Sequence, residues 1–417
     1  HRIYSVFQSE GFDGELWKKE RLFVQALSSM EQLGVAIESQ LAETEFQIGQ
    51  VRMASIVQML DGLNPSSPKD LEELLINRLG LPLVRPTKGT KQLPPSEQKP
   101  SFDRLAMEEY EILLNAQQDT TAQLVLEYRG WQKACSTYFR AFLDKQSWDG
   151  KIRPNFKVHG TRTSRLSCEV PNLQQIPRET SEAKRWGLNT KKCIVPTPQH
   201  RLWELDYSNL ELRLSAIYSG QSNLIEAFNS GEKIWDYMSS LLGGWEKNKT
   251  KTVTYATLYG AGNKKLADTM GIPLDEAANT KNLYFDTFSQ IKETIFQVNN
   301  HAKNAGYIKY WTKRRRHFPS SESPHKAFNS LIQGSGAEVV KWALIEIWET
   351  LTARNTNPLC KLVLTIHDSI VLEIKEGYEK EYLPKAKEIM ERIPSEYFGM
   401  FFGVEVHEWA GNEWDSQ

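Results

Sequence analysis

The chain has 417 residues, of which 40% are hydrophobic and 11% aromatic, so it can bury a substantial globular core. Its 51 Lys and Arg residues nearly balance 52 Asp and Glu residues, and a net charge of -1 excludes any argument for a polyanionic partner from overall charge. No apolar run approaches the roughly 18 residues that span a bilayer, and the N-terminus lacks a signal-peptide pattern, so we predict a soluble protein without a membrane partner.

The first third of the chain reads as helical. From Glu20 to about Leu143 apolar residues recur at helical spacing, as in FVQALSSMEQLGVAI and TTAQLVLEYRGWQKACSTYFRAFL, and we predict a long helical pair. Ser67 followed by Pro68 is typical of a helix start. The stretch RPTKGTKQLPPSEQKP, which lies between these two helical segments, is predicted to be a mobile loop.

The character changes after about Lys145 to short strands and turns. Leu202 to Tyr207 reads as a strand, and a helix is predicted from Ser208. Residues 231–310 return to helices, and HKAFNSLIQGSGAEVVKWALIEIWETL is a further long helix. CKLVLTIHDSIVLEI is predicted to form two buried strands around a tight turn at His367-Asp368-Ser369.

The four cysteines, Cys135, Cys168, Cys193 and Cys360, lie far apart without a C-x-x-C pair. Neither a structural zinc site nor a disulfide framework is indicated, and a reducing compartment fits best. Because the chain begins with His1 rather than Met, we expect a fragment or processed product whose missing part could carry another domain.

Two aspartates stand out because apolar sequence flanks them. Asp206 ends the predicted strand, and Asp368 lies at the predicted hairpin turn. A half-buried carboxylate is costly unless it binds a cation, although a single aspartate at such a place is more often a turn or cap residue.

The helix predicted in KNKTKTVTYATLYGAG has almost no apolar face. Its residues Lys247, Lys251, Tyr255 and Tyr259 are four apart and form one slowly winding stripe. A solvated lysine face with tyrosines in the core is the alternative interpretation, but the apolar face is too thin for it.

Three sequence motifs resemble, in the same order, the polymerase motifs of family A DNA polymerases, the bacterial polymerase I and phage replicative type. They are DYSNLELR (206–213), KTVTYATLYG (251–260) and IHDS (366–369). The resemblance extends to TSRLSCEVPNLQQIP, TKRRRHFP, NSLIQGSGAEVVK and EYRGWQKACSTY. It covers nearly the whole chain from about Glu20.

The resemblance implies an α+β fold shaped as a right hand, with an antiparallel palm sheet and helical fingers and thumb. The implied segments are an N-terminal remnant or linker at 1–19, the thumb at 20–145, the palm at 146–230 and 311–417, and the fingers at 231–310. The sequence ahead of residue 20 is too short for a proofreading exonuclease, so we expect no editing within this chain.

The resemblance also implies a metal site. Asp206 and Asp368, with the backbone carbonyl of Tyr207, would hold two Mg2+ ions, for which Mn2+ could substitute. Lys251 matches a proton donor to pyrophosphate and completes the implied catalytic set.

The implied nucleotide site is the helical stripe together with one glutamate. Lys247 and Lys251 would grip phosphates, Tyr255 would lie by the sugar and base, and Tyr259 near the templating position. Glu211 would pack against Tyr259 and fill the space of a ribose 2'-hydroxyl, which selects deoxynucleotides.

The implied primer-template contacts come from several segments. Donors that meet the minor groove test pair geometry without reading sequence, because purine N3 and pyrimidine O2 acceptors occur in every pair. The basic run from Lys313 to Arg316 is either a solvated face or part of the nucleic-acid cleft. The residues assigned to primer-template binding are Arg165, Asn329, Gln333, His367, Arg314 and Arg315.

Four positions depart from the family pattern. Lys247 stands where Arg is usual, Trp235 where a phosphate-side His is usual, Asn209 where Gln is usual, and Ser369 where an acidic residue commonly follows the last aspartate. Triphosphate binding is therefore expected to be weaker or rearranged. Tyr255 implies ready incorporation of dideoxynucleotides.

The predicted function is template-directed DNA synthesis from deoxynucleoside triphosphates on a primer-template. The alternatives are a reverse transcriptase or RNA polymerase on the same hand and, in a different class, a non-catalytic primer-template binding subunit. The predicted compartment is the cytoplasm of a bacterium or phage-infected host, with an organelle as alternative. Further replication proteins are candidate partners.

Overall fold

The computed structural model of the chain describes residues 14–176, 185–319, 322 and 324–409. Most of the segment predicted at 1–19 and the final stretch 410–417 of the second palm segment lie outside these residues. In the described part of the chain, no helix is both long and apolar enough to cross a membrane.

Helices dominate the described residues. They are, in chain order, α1 (Glu15–Leu33), α2 (Ser39–Met59), α3 (Pro68–Leu71), α4 (Arg104–Asn115), α5 (Thr121–Lys133), α6 (Arg140–Lys145), α7 (Leu210–Ser219), α8 (Ser222–Asn229), α9 (Ile234–Leu241), α10 (Lys247–Leu258), α11 (Asn263–Met270), α12 (Leu274–Thr287), α13 (Ser289–Ala305), α14 (Ala327–Thr350) and α15 (Glu379–Phe398). Wider π-type turns at Glu72–Arg78 and Ala134–Phe139 continue α3 and join α5 to α6, and short 3-10 turns occur at Pro95–Glu97, Leu173–Gln175, Thr190–Cys193 and Pro324–Lys326.

The strands are fewer and mostly short. They are β1 (Val35–Ala36), β2 (Lys151–Ile152), β3 (Asn155–Lys157), β4 (Ser167–Glu169), β5 (His200–Tyr207), β6 (Tyr307–Lys309), β7 (Arg315–His317), β8 (Cys360–Ile366), β9 (Ser369–Lys375) and β10 (Val404–Glu408). The main sheet is antiparallel in the order β10-β5-β9-β8, and β1-β2, β3-β4 and β6-β7 form two-stranded ribbons.

The described residues divide into two compact units. The first unit contains those of His1–Gly34, Pro154–Gln174 and Pro196–Trp409, and it holds the four-stranded sheet. The second contains those of Val35–Arg153 and Gln175–Val195 and is built mainly of helices.

The main sheet of the first unit arises from the predicted strands. Residues of β8 and β9 are buried almost without interruption, which explains their continuous apolar sequence. The turn between them is His367-Asp368, one residue shorter than predicted, because Ser369 already pairs with Ile366 of β8. Strand β5 is an inner strand, with β9 on one side and β10 on the other, so its C-terminal residues are flanked by both neighbours.

Helix α14 is the buried helix of the first unit, and it contacts α1, α7, α13 and α15. From Ala327 to Lys341 only Asn329, Gln333 and Ala337 are half-buried rather than buried, and they lie four apart on one face. Gly334 permits a close approach, since a Cβ there would be 2.0 Å from Cζ of Tyr310.

Helix α1 corrects the predicted domain boundary. The segment 20–145 was predicted as one body, but α1 belongs to the first unit, where Phe23 is buried and Glu20 pairs with Lys341 of α14. Gly34 ends α1 with φ 69°, so the helical reading of GVAI fails and Val35–Ala36 forms a strand. Helical spacing predicts a buried face but not the element that buries it.

The second unit has its own core. Ser67 caps α3 by accepting a hydrogen bond from the amide of Asp70, as the sequence predicted for a helix start. The stretch predicted as a mobile loop contains an isolated bridge between Pro86 and Pro100. The core residues are Ile56, Leu60, Leu71, Leu74, Leu75, Leu81, Phe102, Met107, Tyr110, Leu114, Ala122, Val125 and Leu126.

The four cysteines are free and buried. Burial raises the pKa of the Cys135 and Cys168 thiols to about 11 and of the Cys193 and Cys360 thiols to about 12. At neutral pH they are therefore protonated packing groups and weak nucleophiles.

Candidate active site

The two predicted metal-binding aspartates lie on neighbouring segments of the main sheet. Asp206 is paired with Ser369 across β5 and β9, and the amide of Tyr207 donates a hydrogen bond of 3.4 Å to the carbonyl oxygen of Asp368. Paired residues in an antiparallel ladder have Cα atoms about 4.5–5.5 Å apart. Asp206 and Asp368, distant in the chain, are thus brought side by side.

The surroundings of this pair are partly open. Asp206 is half-buried, and the side chain of Asp368 is 27% exposed. Tyr207 is buried, and its hydroxyl donates a hydrogen bond of 2.6 Å to the carbonyl oxygen of Met390. Burial raises the pKa of Tyr207 well above its ordinary value, and its ring is part of the core.

The pair fits a divalent cation that needs few protein ligands. Among residues 14–176, 185–319, 322 and 324–409, no group of three or more His, Cys, Asp or Glu side chains has metal-site geometry. Mg2+ does not require one, because it is bound through one or two carboxylates while water and phosphate oxygens complete its shell. Asp206 and Asp368 at an open sheet end provide such carboxylates.

Glu211 lies in the first turn of α7 and is 6% exposed. Its carboxylate accepts a hydrogen bond of 2.6 Å from the hydroxyl of Tyr259 and forms an ion pair with Arg165. The same guanidinium lies 3.7 Å from Oδ1 of Asp368. Burial nevertheless raises the pKa of Glu211, against the opposing effects of Arg165 and Tyr259.

The stripe on α10 is present and has partners from α9. The Lys247 ammonium is 3.0 Å from Oδ1 of Asp236, and the Lys251 ammonium lies 5.5 Å from the centroid of the Trp235 ring. The ring of Tyr255 lies 5.7 Å from the Trp235 ring and 5.9 Å from that of Tyr259.

Contacts link this stripe to one of the aspartates. The Tyr259 hydroxyl bonds Glu211, and Arg165 joins Glu211 to Asp368. Tyr255 is half-buried, and burial raises the pKa of its hydroxyl to about 12. A phenol is protonated at neutral pH even at its ordinary pKa, so this hydroxyl can donate a hydrogen bond.

The turn after β5 is held by Arg213. Its guanidinium donates to the carbonyl oxygens of Ser208 at 2.8 Å and Phe401 at 2.6 Å, and it stacks 4.2 Å from the centroid of Phe228. Burial lowers the pKa of Arg213 to about 10. This arginine fixes the backbone next to Asp206 and Tyr207.

The structure brings some of the predicted primer-template residues together. Arg165 and His367 line one small cavity with Gln174 and Ala337, and Ala337 continues the half-buried stripe of Asn329 and Gln333 on α14. His367 is exposed at the hairpin turn with φ 51°, a conformation uncommon for a residue other than glycine.

The basic run is divided by burial, which corrects one assignment. Arg314 was predicted to contact nucleic acid, but its side chain is 12% exposed and pairs with Glu338, 2.8 Å away, and with Glu20. Both of these partners are themselves little exposed, so Arg314 belongs to an internal ion cluster. Arg315 is half-buried with its guanidinium 4.7 Å from the Tyr307 ring, whereas Lys313 is exposed.

Sequence reasoning missed three partners in this region. Glu204 is buried and accepts a 2.8 Å hydrogen bond from the Ser369 hydroxyl. Its position two residues before Asp206 placed it on the same strand face, which was an available signal. Asp236 and the contact of Trp235 with Lys251 had no such signal, because a loop separates α9 from α10.

Comparison with known proteins identifies the family. The sequence of this chain matches the family model of DNA polymerase family A over residues 29–416. DNA polymerase I of Lactococcus lactis subsp. lactis is 28% identical over 94% of this chain and 44% of its own length, and the thermostable DNA polymerase I of Thermus aquaticus is 27% identical over 97% and 49%. The chain spans about half the length of the curated relatives it matches.

A solved structure shares the fold. The POL domain of Pol1 from M. smegmatis, in complex with DNA primer-template and dNTP, superposes with a TM-score of 0.81 and 25% identity over 94% of this chain and 70% of the matched one. The predicted α+β fold of a polymerase domain is thereby confirmed. The chain belongs to DNA polymerase family A.

Proposed function

We propose that this chain is a template-directed DNA polymerase that adds deoxynucleotides to a primer 3'-hydroxyl. The observation that carries the proposal is the pairing register that sets Asp206 beside Asp368, with Tyr259 at the end of α10 linked to Asp368 through Glu211 and Arg165. In this reaction the 3'-oxygen bonds to the α-phosphorus of the nucleotide, and the bond from that phosphorus to pyrophosphate breaks.

Two divalent cations, Mg2+ or Mn2+ in its place, would be held by Asp206, Asp368 and the carbonyl oxygen of Tyr207. When bound, such ions supply charge neutralisation for the triphosphate and a lower pKa for the primer hydroxyl. The chain fixes these ligands through the β5-β9 ladder and through the grip of Arg213 on Ser208. Members of this family generally depend on divalent metal ions.

The nucleotide would lie along α10. Lys247 and Lys251 would bind the phosphates, and Lys251 would protonate the departing pyrophosphate. Tyr255 would lie by the sugar and base, and Tyr259 near the templating position. Glu211, held by Tyr259 and Arg165, would occupy the space that a 2'-hydroxyl needs.

The primer-template would be contacted by Arg165, Asn329, Gln333, His367 and Arg315. The half-buried stripe of α14 and the cavity beside it support this assignment. We assign the main sheet to the palm, α9 to α13 to the fingers and the helical second unit to the thumb. The bacterial relatives favour the cytoplasm as the compartment.

Primer extension with Mg2+ tests the proposal. Asp368→Ala should abolish extension while primer-template binding persists. The control is Asp275→Ala, which changes an exposed aspartate at the start of α12 and should leave extension unchanged. Extension by Asp368→Ala at the rate of the unchanged chain would refute the metal assignment. Primer-template binding without extension by the unchanged chain would favour a binding subunit, and RNA and DNA templates offered side by side separate a reverse transcriptase from a DNA-directed enzyme.

A further inference from the structure

Two consecutive residues of α9 each hold one lysine of α10, by different chemistry. The carboxylate of Asp236 forms a 3.0 Å ion pair with Lys247. The neighbouring Trp235 offers its ring face to Lys251, whose ammonium is 5.5 Å from the ring centroid. The two lysines are therefore in different electrostatic states before any ligand arrives.

The two lysine sites differ in their net charge. The carboxylate of Asp236 offsets the positive charge of Lys247, so an anionic ligand competes with Asp236 for Lys247. An aromatic face attracts a cation through its quadrupole but carries no charge, so Lys251 is held without being neutralised. Among the described residues, no carboxylate forms an ion pair with Lys251.

The indole of Trp235 is itself fixed. Its Nε1–H donates a 3.0 Å hydrogen bond to Oδ1 of Asn209, and the amide nitrogen of Asn209 donates to Oγ of Ser208 at 3.1 Å. Its ring also packs against Tyr255, 5.7 Å between centroids. Because Asn209 follows β5 closely, the indole links the lysine helix to the strand that carries Asp206.

We propose that Trp235 is a positioning residue that presents the charged Lys251 to the nucleotide triphosphate, while Asp236 partly offsets the charge of Lys247. A triphosphate then gains more from Lys251 than from Lys247. This inference rests on the proposed polymerase function and concerns the strength of the triphosphate contacts within it.

The test is the affinity of a deoxynucleoside triphosphate for the chain bound to a primer-template with a dideoxy-terminated primer, which needs no turnover. Trp235→Leu should weaken this affinity about fivefold to tenfold. Trp235→Phe keeps a ring face and should stay within about threefold. In a Lys251→Met background Trp235→Leu should have a clearly smaller effect, because its interaction with Lys251 is already absent and only its contacts with Asn209 and Tyr255 are left to lose.

The second arm concerns Asp236. Asp236→Asn should strengthen triphosphate affinity about twofold to threefold, and the gain should vanish in a Lys247→Met background. The matched control is Trp245→Leu. The ammonium of Lys249 lies 5.0 Å from the centroid of the Trp245 ring, but Lys249 is two residues from Lys251 and therefore on another face of α10. Its triphosphate affinity should be unchanged.

Three results would overturn the inference: an equal loss from Trp235→Leu with and without Lys251, the same loss from Trp245→Leu, or no gain from Asp236→Asn. Thermal melting of each variant checks that the fold is intact, and the Trp235→Phe variant keeps the comparison informative if Trp235→Leu unfolds. Failure of the unchanged chain to extend a primer would reject the proposed function itself, whereas an extending chain with additive effects rejects only this inference.

Discussion

The Tyr259 hydroxyl donates a 2.6 Å hydrogen bond to Oε2 of Glu211, while Arg165 pairs with the other oxygen of the same carboxylate. Two partners thus fix a side chain that is 6% exposed beside the proposed sugar site. A fixed carboxylate excludes an added hydroxyl better than a mobile one, because it cannot move aside without losing both bonds.

Removal of this side chain should therefore relax sugar selection. We expect Glu211→Ala to raise ribonucleotide incorporation relative to deoxynucleotide incorporation by about tenfold or more, measured as the ratio of kcat/KM values. Tyr259→Phe removes one hydrogen bond but leaves the carboxylate in place, so its effect should be smaller. Equal selectivity in Glu211→Ala and the unchanged chain would contradict the proposed role.

The pKa of Glu211 also predicts a pH-dependent stability. Burial raises this pKa above its ordinary value, so between the two values the native chain binds more protons than the unfolded chain. Stability is then lost as pH rises through that window, and the cost is absent below the ordinary pKa. Glu211→Gln should unfold at a higher denaturant concentration than the unchanged chain at pH 8, and this advantage should fade toward pH 4. An advantage that grows on acidification would show that the charged form is favoured instead.

Much of this site follows from local sequence pattern. The strand ending in Asp206, the hairpin carrying Asp368 and the helix of Lys247 and Lys251 were predicted from period and order, because each depends on residues close in the chain. The half-buried face of Asn329 and Gln333 on α14 likewise follows from their spacing of four.

Partners from distant segments were not predictable in this way. Arg314 looks like its exposed neighbour Lys313 in the sequence, yet just before β7 its guanidinium turns toward Glu338 and Glu20. Nothing within TKRRRHFP says which of its basic side chains a distant segment will cover. The assignment of α1 to the wrong body has the same origin.

The phenol of Tyr255 should influence the use of dideoxynucleotides. A phenol is protonated at neutral pH, and burial moves the pKa of this one further away, to about 12, so it can donate a hydrogen bond where the 3'-hydroxyl is missing. We expect the chain to incorporate dideoxynucleotides readily and Tyr255→Phe to discriminate against them more strongly, about tenfold for one lost hydrogen bond. Competition between each dideoxynucleotide and its normal counterpart measures this. A strong preference of the unchanged chain for the normal nucleotide would refute it.

The ion cluster around Glu338 should be important for stability. Glu338 is fully buried and accepts bonds from Lys341 at 3.0 Å, Arg314 at 2.8 Å and Thr312 at 3.1 Å. Lys341→Met leaves this carboxylate short of a charge partner, and we expect a loss of about 3–5 kcal/mol in the free energy of unfolding, measured by denaturant titration. Lys385→Met is the control, since the exposed Lys385–Glu381 pair should be worth about 0.5 kcal/mol or less.

The same cluster has a defined pH dependence. Burial by itself would raise the pKa of Glu338, but Lys341 and Arg314 together lower it below the ordinary value. Its stabilising contribution is therefore present above the ordinary carboxyl pKa and is lost as pH falls through the lowered one. The cost of Lys341→Met should shrink on acidification, and a cost independent of pH would indicate lost packing of the lysine stem instead.

The close contact of Gly334 with Tyr310 couples α14 to its neighbours. Because a Cβ at Gly334 would lie 2.0 Å from Cζ and 2.4 Å from Oη of a tyrosine that is 3% exposed, Gly334→Ala must displace either the ring or the helix. We expect a destabilisation of about 1–3 kcal/mol, together with weaker primer-template binding, since Gln333 is the adjacent residue. Gly89→Ala, in an exposed turn where an added Cβ would meet nothing within 4 Å, should change stability by about 0.5 kcal/mol or less. If the contact is the cause, Tyr310→Leu should recover part of the loss in the Gly334→Ala background. If Gly334→Ala is as stable as Gly89→Ala, the close approach does not limit this helix.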